Sequence, residues 1–142
     1  MAADKTIRVL LIDPGKHPRI VEVEHKLENL QALVGGYIEA VYPWDDPVAL
    51  VCDEEGKCKS DTLPNRMLDK YDQLVGPVFI CGLGEENFAS ITDELALKYA
   101  EKFWMPETFF RTGAGLLVIR DDDGTTPSME ALLEGGTDDG IM

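Results

Sequence analysis

Ile7, Val9 and Leu11 alternate with Arg8, Leu10 and Ile12, a period of two that predicts a strand over residues 5–13. Both faces of that strand carry apolar residues, which places it in the middle of a sheet. Asp13-Pro14-Gly15 ends the run in a turn. Residues 19–24 alternate again, Ile20, Glu22 and Glu24 against Val21 and Val23, as the second strand of a hairpin. The period then lengthens. Leu27, Leu30, Leu33 and Val34 recur at helical spacing over 24–34, and Gly35-Gly36 supplies the stop, because the residue after a helix favours positive φ. Apolar runs return at 37–42 and 48–53, joined by Pro43-Trp44-Asp45-Asp46-Pro47 and followed by a turn at 54–57.

A short helical segment is expected over 63–72, and a strand over 78–81. Ser90 reads as the N-cap of a second long helix, with Asp93 reaching back to it. Ile91, Leu95, Tyr99 and Phe103 then form one apolar stripe at every fourth residue. A last strand is expected over 116–120. Strand pairs separated by helices predict an α+β fold: a mainly antiparallel sheet with two principal helices packed on one face. Residues 1–120 are expected to form a single domain. Residues 121–142 read as an acidic, Gly-rich, flexible tail with a brief helix at 129–133.

Charge changes this picture more than composition does. The net charge is -14, and residues 1–35 contribute none of it, with five Lys/Arg against five Asp/Glu. Residues 121–142 hold seven acids and no Lys or Arg, half of the total. Such a chain repels phosphate backbones, which excludes direct nucleic-acid binding and suits a basic protein surface. No apolar run approaches the roughly 18 residues of a membrane span. The first residues lack the basic and apolar regions of a secretory signal, so the expected location is cytoplasmic. Cys52, Cys58 and Cys81 are an odd set and read as reduced thiols. Five residues separate Cys52 from Cys58, a spacing of neither a redox pair nor a zinc knuckle, and no cofactor or metal is expected.

The chemistry concentrates between residues 36 and 66. Arg66 offers a planar fork for carboxylate or phosphate, and Asn65 both a donor and an acceptor. Tyr42 and Trp44 can stack on a planar ring, and Lys57 adds a cation, with Lys59 nearby. Tyr42, Trp44, Lys57, Asn65 and Arg66 are therefore the candidate ligand-binding residues. The alternative is that Arg66 pairs with Glu54 or Glu55 and holds the turn. Other constellations fail on named residues. Gly82-Leu83-Gly84 lacks the third glycine of a phosphate loop, where Asn87 stands, and Glu85 and Glu86 repel phosphate. A calcium loop over 119–130 would need a ligand at Ile119. No nucleophile elbow accompanies His17 or His25, so no enzyme is expected. Trp104, Phe109 and Phe110 leave two readings open, a cap on the core or a contact between copies of the chain.

The segments Val9-Leu10-Leu11-Ile12-Asp13-Pro14-Gly15, Leu30 to Glu39, Asp53-Glu54-Glu55-Gly56-Lys57, Pro64-Asn65-Arg66 and Gly76 to Gly82 together resemble a family. It is a small domain of unknown function borne by bacteriophages and conjugative elements, and the likeness spans about residues 7–103. Where that family's turn more often begins with Asn, this chain has Asp53. The resemblance implies a mobile-element protein of the kind encoded beside counter-defence genes. Two functions follow as expectations. One is a non-enzymatic counter-defence protein that captures a small nucleotide-like ligand or immune signal. The other is an acidic DNA-mimic inhibitor of a host restriction or CRISPR nuclease.

Overall fold

In the computed structural model, which describes residues 6–59, 62–69 and 72–134, β1 (Thr6–Ile12) and β2 (Arg19–Glu24) form the expected hairpin, Val9 opposite Val21. Further antiparallel pairings join β1 to β7 (Val78–Leu83), β7 to β4 (Val48–Asp53), and β4 to β3 (Ile38–Val41). The strand order is β2-β1-β7-β4-β3, with the short β8 (Phe88–Ala89) against β7. The fold is α+β with a mainly antiparallel sheet.

The placement of the helices corrects the expectation of a single covered face. Val9, Leu11, Val51, Phe79 and Cys81 point to one side, where Leu30 and Val34 of α1 (Leu27–Val34) close over them. Leu10, Ile12, Leu50 and Ile80 point to the other side, beneath Ala96, Tyr99 and Ala100 of α2 (Asp93–Lys102). The physical reason is the double-sided pattern already visible in β1. Three central strands apolar on both faces need a cover on each, since every exposed large aliphatic residue would forfeit roughly 1.5–3 kcal/mol.

Local signals explain the helix ends. Gly35 has φ 85° and its N–H donates to Gln31 O at 2.8 Å, the expected stop of α1. Gly36 is required for a different reason: a Cβ there would come within 2.6 Å of Asp53 Oδ1. The N-cap of α2 is Thr92, whose Oγ1 accepts from Leu95 N at 3.2 Å, and not Ser90. Ser90 Oγ instead accepts from Arg8 N at 3.0 Å, and Ile91 N donates to Arg8 O at 2.9 Å. These two bonds clip the approach to α2 onto β1.

Two other expectations change. The helical segment at 63–72 is replaced by β5 (Pro64–Met67), which pairs with β6 (Gln73–Val75). The chain at 107–120 forms a hairpin of β9 (Glu107–Thr112) and β10 (Gly115–Arg120), of which only β10 was expected. The brief helix of the acidic stretch is α3 (Met129–Glu134), but it is not part of a loose tail. Leu132 is 0% exposed and belongs to the same core as α2, so residues 121–134 pack with the domain expected to end at 120. The remaining tail, 135–142, lies outside the described residues.

Candidate functional site

β5 carries Asn65 and Arg66 inward, and Arg66 is 1% exposed. Asn65 Nδ2 donates to Ile12 O at 2.9 Å and Gly76 O at 2.8 Å, while its Oδ1 accepts from Arg66 Nη1 at 2.8 Å. Arg66 Nε donates to Phe103 O at 3.0 Å, Nη1 to Asp13 O at 3.4 Å, and Nη2 to Lys16 O at 2.6 Å. One guanidinium thus ties the turn after β1 and the end of α2 to β5. Burial pulls its pKa down to about 10, against the opposite pull of Glu107, Asp121 and Asp13, so it remains charged at neutral pH. Asn65 and Arg66 are buried side chains whose donors are spent on protein oxygens, so they do not face a ligand in solvent. The ligand-binding expectation for Asn65 and Arg66 is therefore corrected to a structural clamp. The clamp also differs from a pairing with Glu54 or Glu55, because its acceptors are backbone oxygens and the Asn65 amide.

The remaining candidates do not converge. Trp44 packs inward, its ring centroid 4.5 Å from that of Tyr99 and 6.0 Å from that of Phe103. Beside it Asp46 Oδ2 accepts from Lys98 Nζ and from Tyr99 OH, both at 2.6 Å. Those two bonds hold the Asp46 carboxyl below its ordinary range, and burial, then Asp46, pushes the Tyr99 hydroxyl well above its own. Tyr42 is exposed and borders a different hollow with Glu85, Glu86 and Phe88. Lys57 Nζ pairs with Asp72 at 2.5 Å. Lys59 Nζ bonds Asp53 Oδ2 at 2.5 Å and Gly35 O at 3.1 Å, fastening the turn after β4 to the end of α1.

Two of the three thiols are held in the protonated form by their surroundings. Burial pushes Cys81 up to about 12, and burial followed by the charge of Glu39 raises Cys52. The Gly82-Leu83-Gly84 loop returns into β8 through a Gly84 N–H to Asn87 O bond of 2.8 Å, so no helix N-terminus follows it. Gly82 is needed because a Cβ would run into the Ser90 carbonyl. Among the described residues no group of His, Cys, Asp and Glu is placed to hold a metal.

One cluster had no counterpart in the sequence pattern. The His17 ring stacks on Trp104 with centroids 4.0 Å apart and planes 10° apart. Its Nδ1 lies 2.6 Å from Trp104 O and its Nε2 2.7 Å from Asp123 Oδ2. Trp104 Nε1 donates to Thr125 Oγ1 at 3.0 Å, and that hydroxyl donates to Asp123 Oδ1 at 2.6 Å. Thr125 first, and then His17, hold Asp123 far below its ordinary range. The cluster straps residues 121–126 to the body over a hollow of about 770 Å³. Lys16 and Arg19 line it together with Asp121, Asp123 and Glu134, so both signs of charge are present. His17 and Asp123 are 106 residues apart, and no spacing rule could have joined them.

The β9–β10 hairpin is the other unexpected feature. Its register runs from Glu107 opposite Arg120 to Thr112 opposite Gly115 without a shift. Glu107 anchors it, accepting from Met67 N at 2.8 Å and pairing with Arg120 at 3.4 Å. Beyond that anchor Phe109 and Val118 are half-buried, while the rest of its large apolar residues are exposed. Phe110, Leu116, Leu117 and Ile119 are each 46–49% exposed.

The fold and these contacts define a small α+β scaffold, clamped from within by one arginine and extended by an apolar arm. Residues 7–104 match the model of a family described as a domain of unknown function, DUF3846, and the chain belongs to that family. No curated protein and no solved structure matches it. The family match ends at Trp104, so the arm, the strap and α3 all lie beyond the matched residues.

Proposed function

We propose that this DUF3846 protein is a non-enzymatic binding protein of a mobile genetic element, acting in the cytoplasm in counter-defence by covering a basic surface of a host nuclease. One observation carries the reading: among the described residues most of the cations face an acid or are interior, and the surplus is carboxylate. Arg8, Lys26, Lys57, Lys98 and Arg120 each face an acid, Arg19 faces Asp13, and Arg66 is interior. Glu54, Glu55, Glu85, Glu86, Glu101 and Asp122 remain on the surface, in a chain of net charge -14. A field of that sign steers basic partners toward the chain and turns nucleic acid away. Among the described residues no helix is long and apolar enough to cross a membrane.

A nucleotide-like ligand has less support. The hydrogen-bonding groups expected to read it are interior, and the surplus charge repels a phosphate. The test is a binding series against purified restriction and CRISPR nucleases at rising salt. Expected is an association that weakens with ionic strength and competes with DNA for the nuclease groove. Absence of binding to every basic-groove nuclease at low salt would overturn the proposal.

A further inference from the structure

We propose that β10 pairs with β10 of a second copy of this chain, joining two arms into one four-stranded antiparallel sheet about a twofold axis. This goes beyond the proposed function and does not depend on it.

The first argument is the open edge. Among the described residues β10 has β9 as its one strand partner, and the backbone groups on its other side face outward. A row of unpaired N–H and C=O groups is a template for another strand unless the chain blunts it. The main sheet is blunted at both ends. β2 carries Glu22 and Glu24 and is packed by α3, while β3 is only four residues long, carries Glu39, and is followed closely by Pro43. β10 has only one of these devices, the charge of Arg120 at its last position. Gly115-Leu116-Leu117-Val118-Ile119 contains no charge, no proline and no bulge before Arg120.

The second argument is charge, which selects the occupant. Residues 107–120 contain Glu107, Arg111 and Arg120, a net charge of +1 in a chain of -14. Two copies repel each other over their acid-rich surfaces, and residues 107–120 are a stretch where that penalty is reduced.

The third argument is self-complementarity. An antiparallel pair related by a twofold axis normal to the sheet keeps each residue and its symmetry mate on the same face. Facing residues must then be an even number of positions apart in sequence. Centred on Leu117, Leu116 faces Val118 of the other copy, Gly115 faces Ile119, and Arg120 faces Ala114. Centred on Val118, Leu117 faces Ile119 and Leu116 faces Arg120. Either register pairs apolar residues at its centre and never sets Arg120 against Arg120, so both satisfy the cross-strand rule. Pairing also turns two marginal two-stranded ribbons into a four-stranded sheet.

Sedimentation equilibrium of the full chain at micromolar concentration tests the proposal. The expected mass is twice the 15.7 kDa of one chain. Leu117→Lys and Leu117→Glu should each sediment as a single chain, with the thermal unfolding transition of the body retained because Leu117 lies outside the core. An equimolar mixture of the two variants should recover the double mass, since the introduced charges are then opposite. A wild-type chain that sediments singly would overturn the pairing. A double mass that survives Leu117→Lys would also overturn it, by placing the contact elsewhere. A single chain that binds a nuclease only with the arm intact would overturn the self-pairing, assign the arm to the partner, and leave the proposed function standing.

Discussion

β1, β4 and β7 bury both of their faces, one beneath α1 and the other beneath α2, whereas β9 and β10 hold four large apolar residues near half exposure. Both regions are antiparallel and both are rich in Leu, Ile, Val and Phe. The difference lies in what surrounds them. The body is internally complete: helices on each face, blunted edges, and an arginine whose hydrogen bonds join three separate stretches. The arm is fastened to β5 through Glu107 and has an open edge. Strand-forming sequence therefore does not distinguish a core strand from an interaction strand. Coverage does, and coverage is a property of the whole chain.

The sharpest contrast between the regions should come from two arginines. Arg66→Ala removes the donors of four hydrogen bonds and leaves unmet the buried Phe103 O and Asn65 Oδ1 and the part-buried Asp13 O and Lys16 O. Urea denaturation should show a loss of about 3–5 kcal/mol, the scale of deleting one partner of a buried charged network. Arg66→Lys should recover only part of this, because a point charge cannot span the same oxygens. Arg111→Ala, on the exposed arm, should change stability by less than about 0.5 kcal/mol. Equal effects at the two positions would break the comparison.

Next in size, Leu132→Ala should cost about 2–4 kcal/mol, the usual range for truncating a buried leucine. That result would place α3 in the body even though it lies past the family match. A loss below about 0.5 kcal/mol would return α3 to a loosely attached tail.

Acid should weaken the body through its paired carboxylates. Burial raises the Asp53 carboxyl, but the bond to Lys59 and the Glu55 N–H outweigh it, so its pKa is lowered; Asp72 is lowered by Lys57. A folded pKa below the unfolded value means stability that is present above the unfolded pKa and lost as pH falls through the folded one. Melting temperature should thus stay level down to about pH 5 and decline below about pH 4, near the unfolded Asp value. Asp53→Asn should cost about 1 kcal/mol at neutral pH and flatten the decline. The smallest stability effect is expected for Leu117→Lys, under about 0.5 kcal/mol, although it should halve the sedimenting mass.

The parts of the fold legible in sequence were those written in hydrophobic period and glycine. The β1–β2 hairpin, α1 with its Gly35 cap, and β4 at Val48–Asp53 all follow from alternation, helical spacing or a required positive φ. β5 was illegible because its burial is polar. Asn65 and Arg66 look like surface residues, and only their hydrogen bonds to distant carbonyls explain why they are interior and extended. The N-cap of α2 was misread because Ser90 and Thr92 both qualify locally. The Arg8 amide, 82 residues away, decides between them. β9 was missed because Glu107-Thr108-Phe109-Phe110-Arg111-Thr112 has no clean alternation, as expected for a ribbon that the core covers only in part. The inward packing of Trp44 was illegible for the same reason as β5: it is held by Tyr99 and Phe103, far beyond any local pattern.

Amide hydrogen exchange, read at a dilute and a concentrated protein sample, tests the contrast between body and arm most directly. Amides of β1, β4 and β7 should exchange slowly and equally in both samples, because their protection is internal. The alternate β10 amides that face away from β9 should be protected only in the concentrated sample, where a second copy completes the edge. Protection of β10 that is the same in both samples would contradict the account.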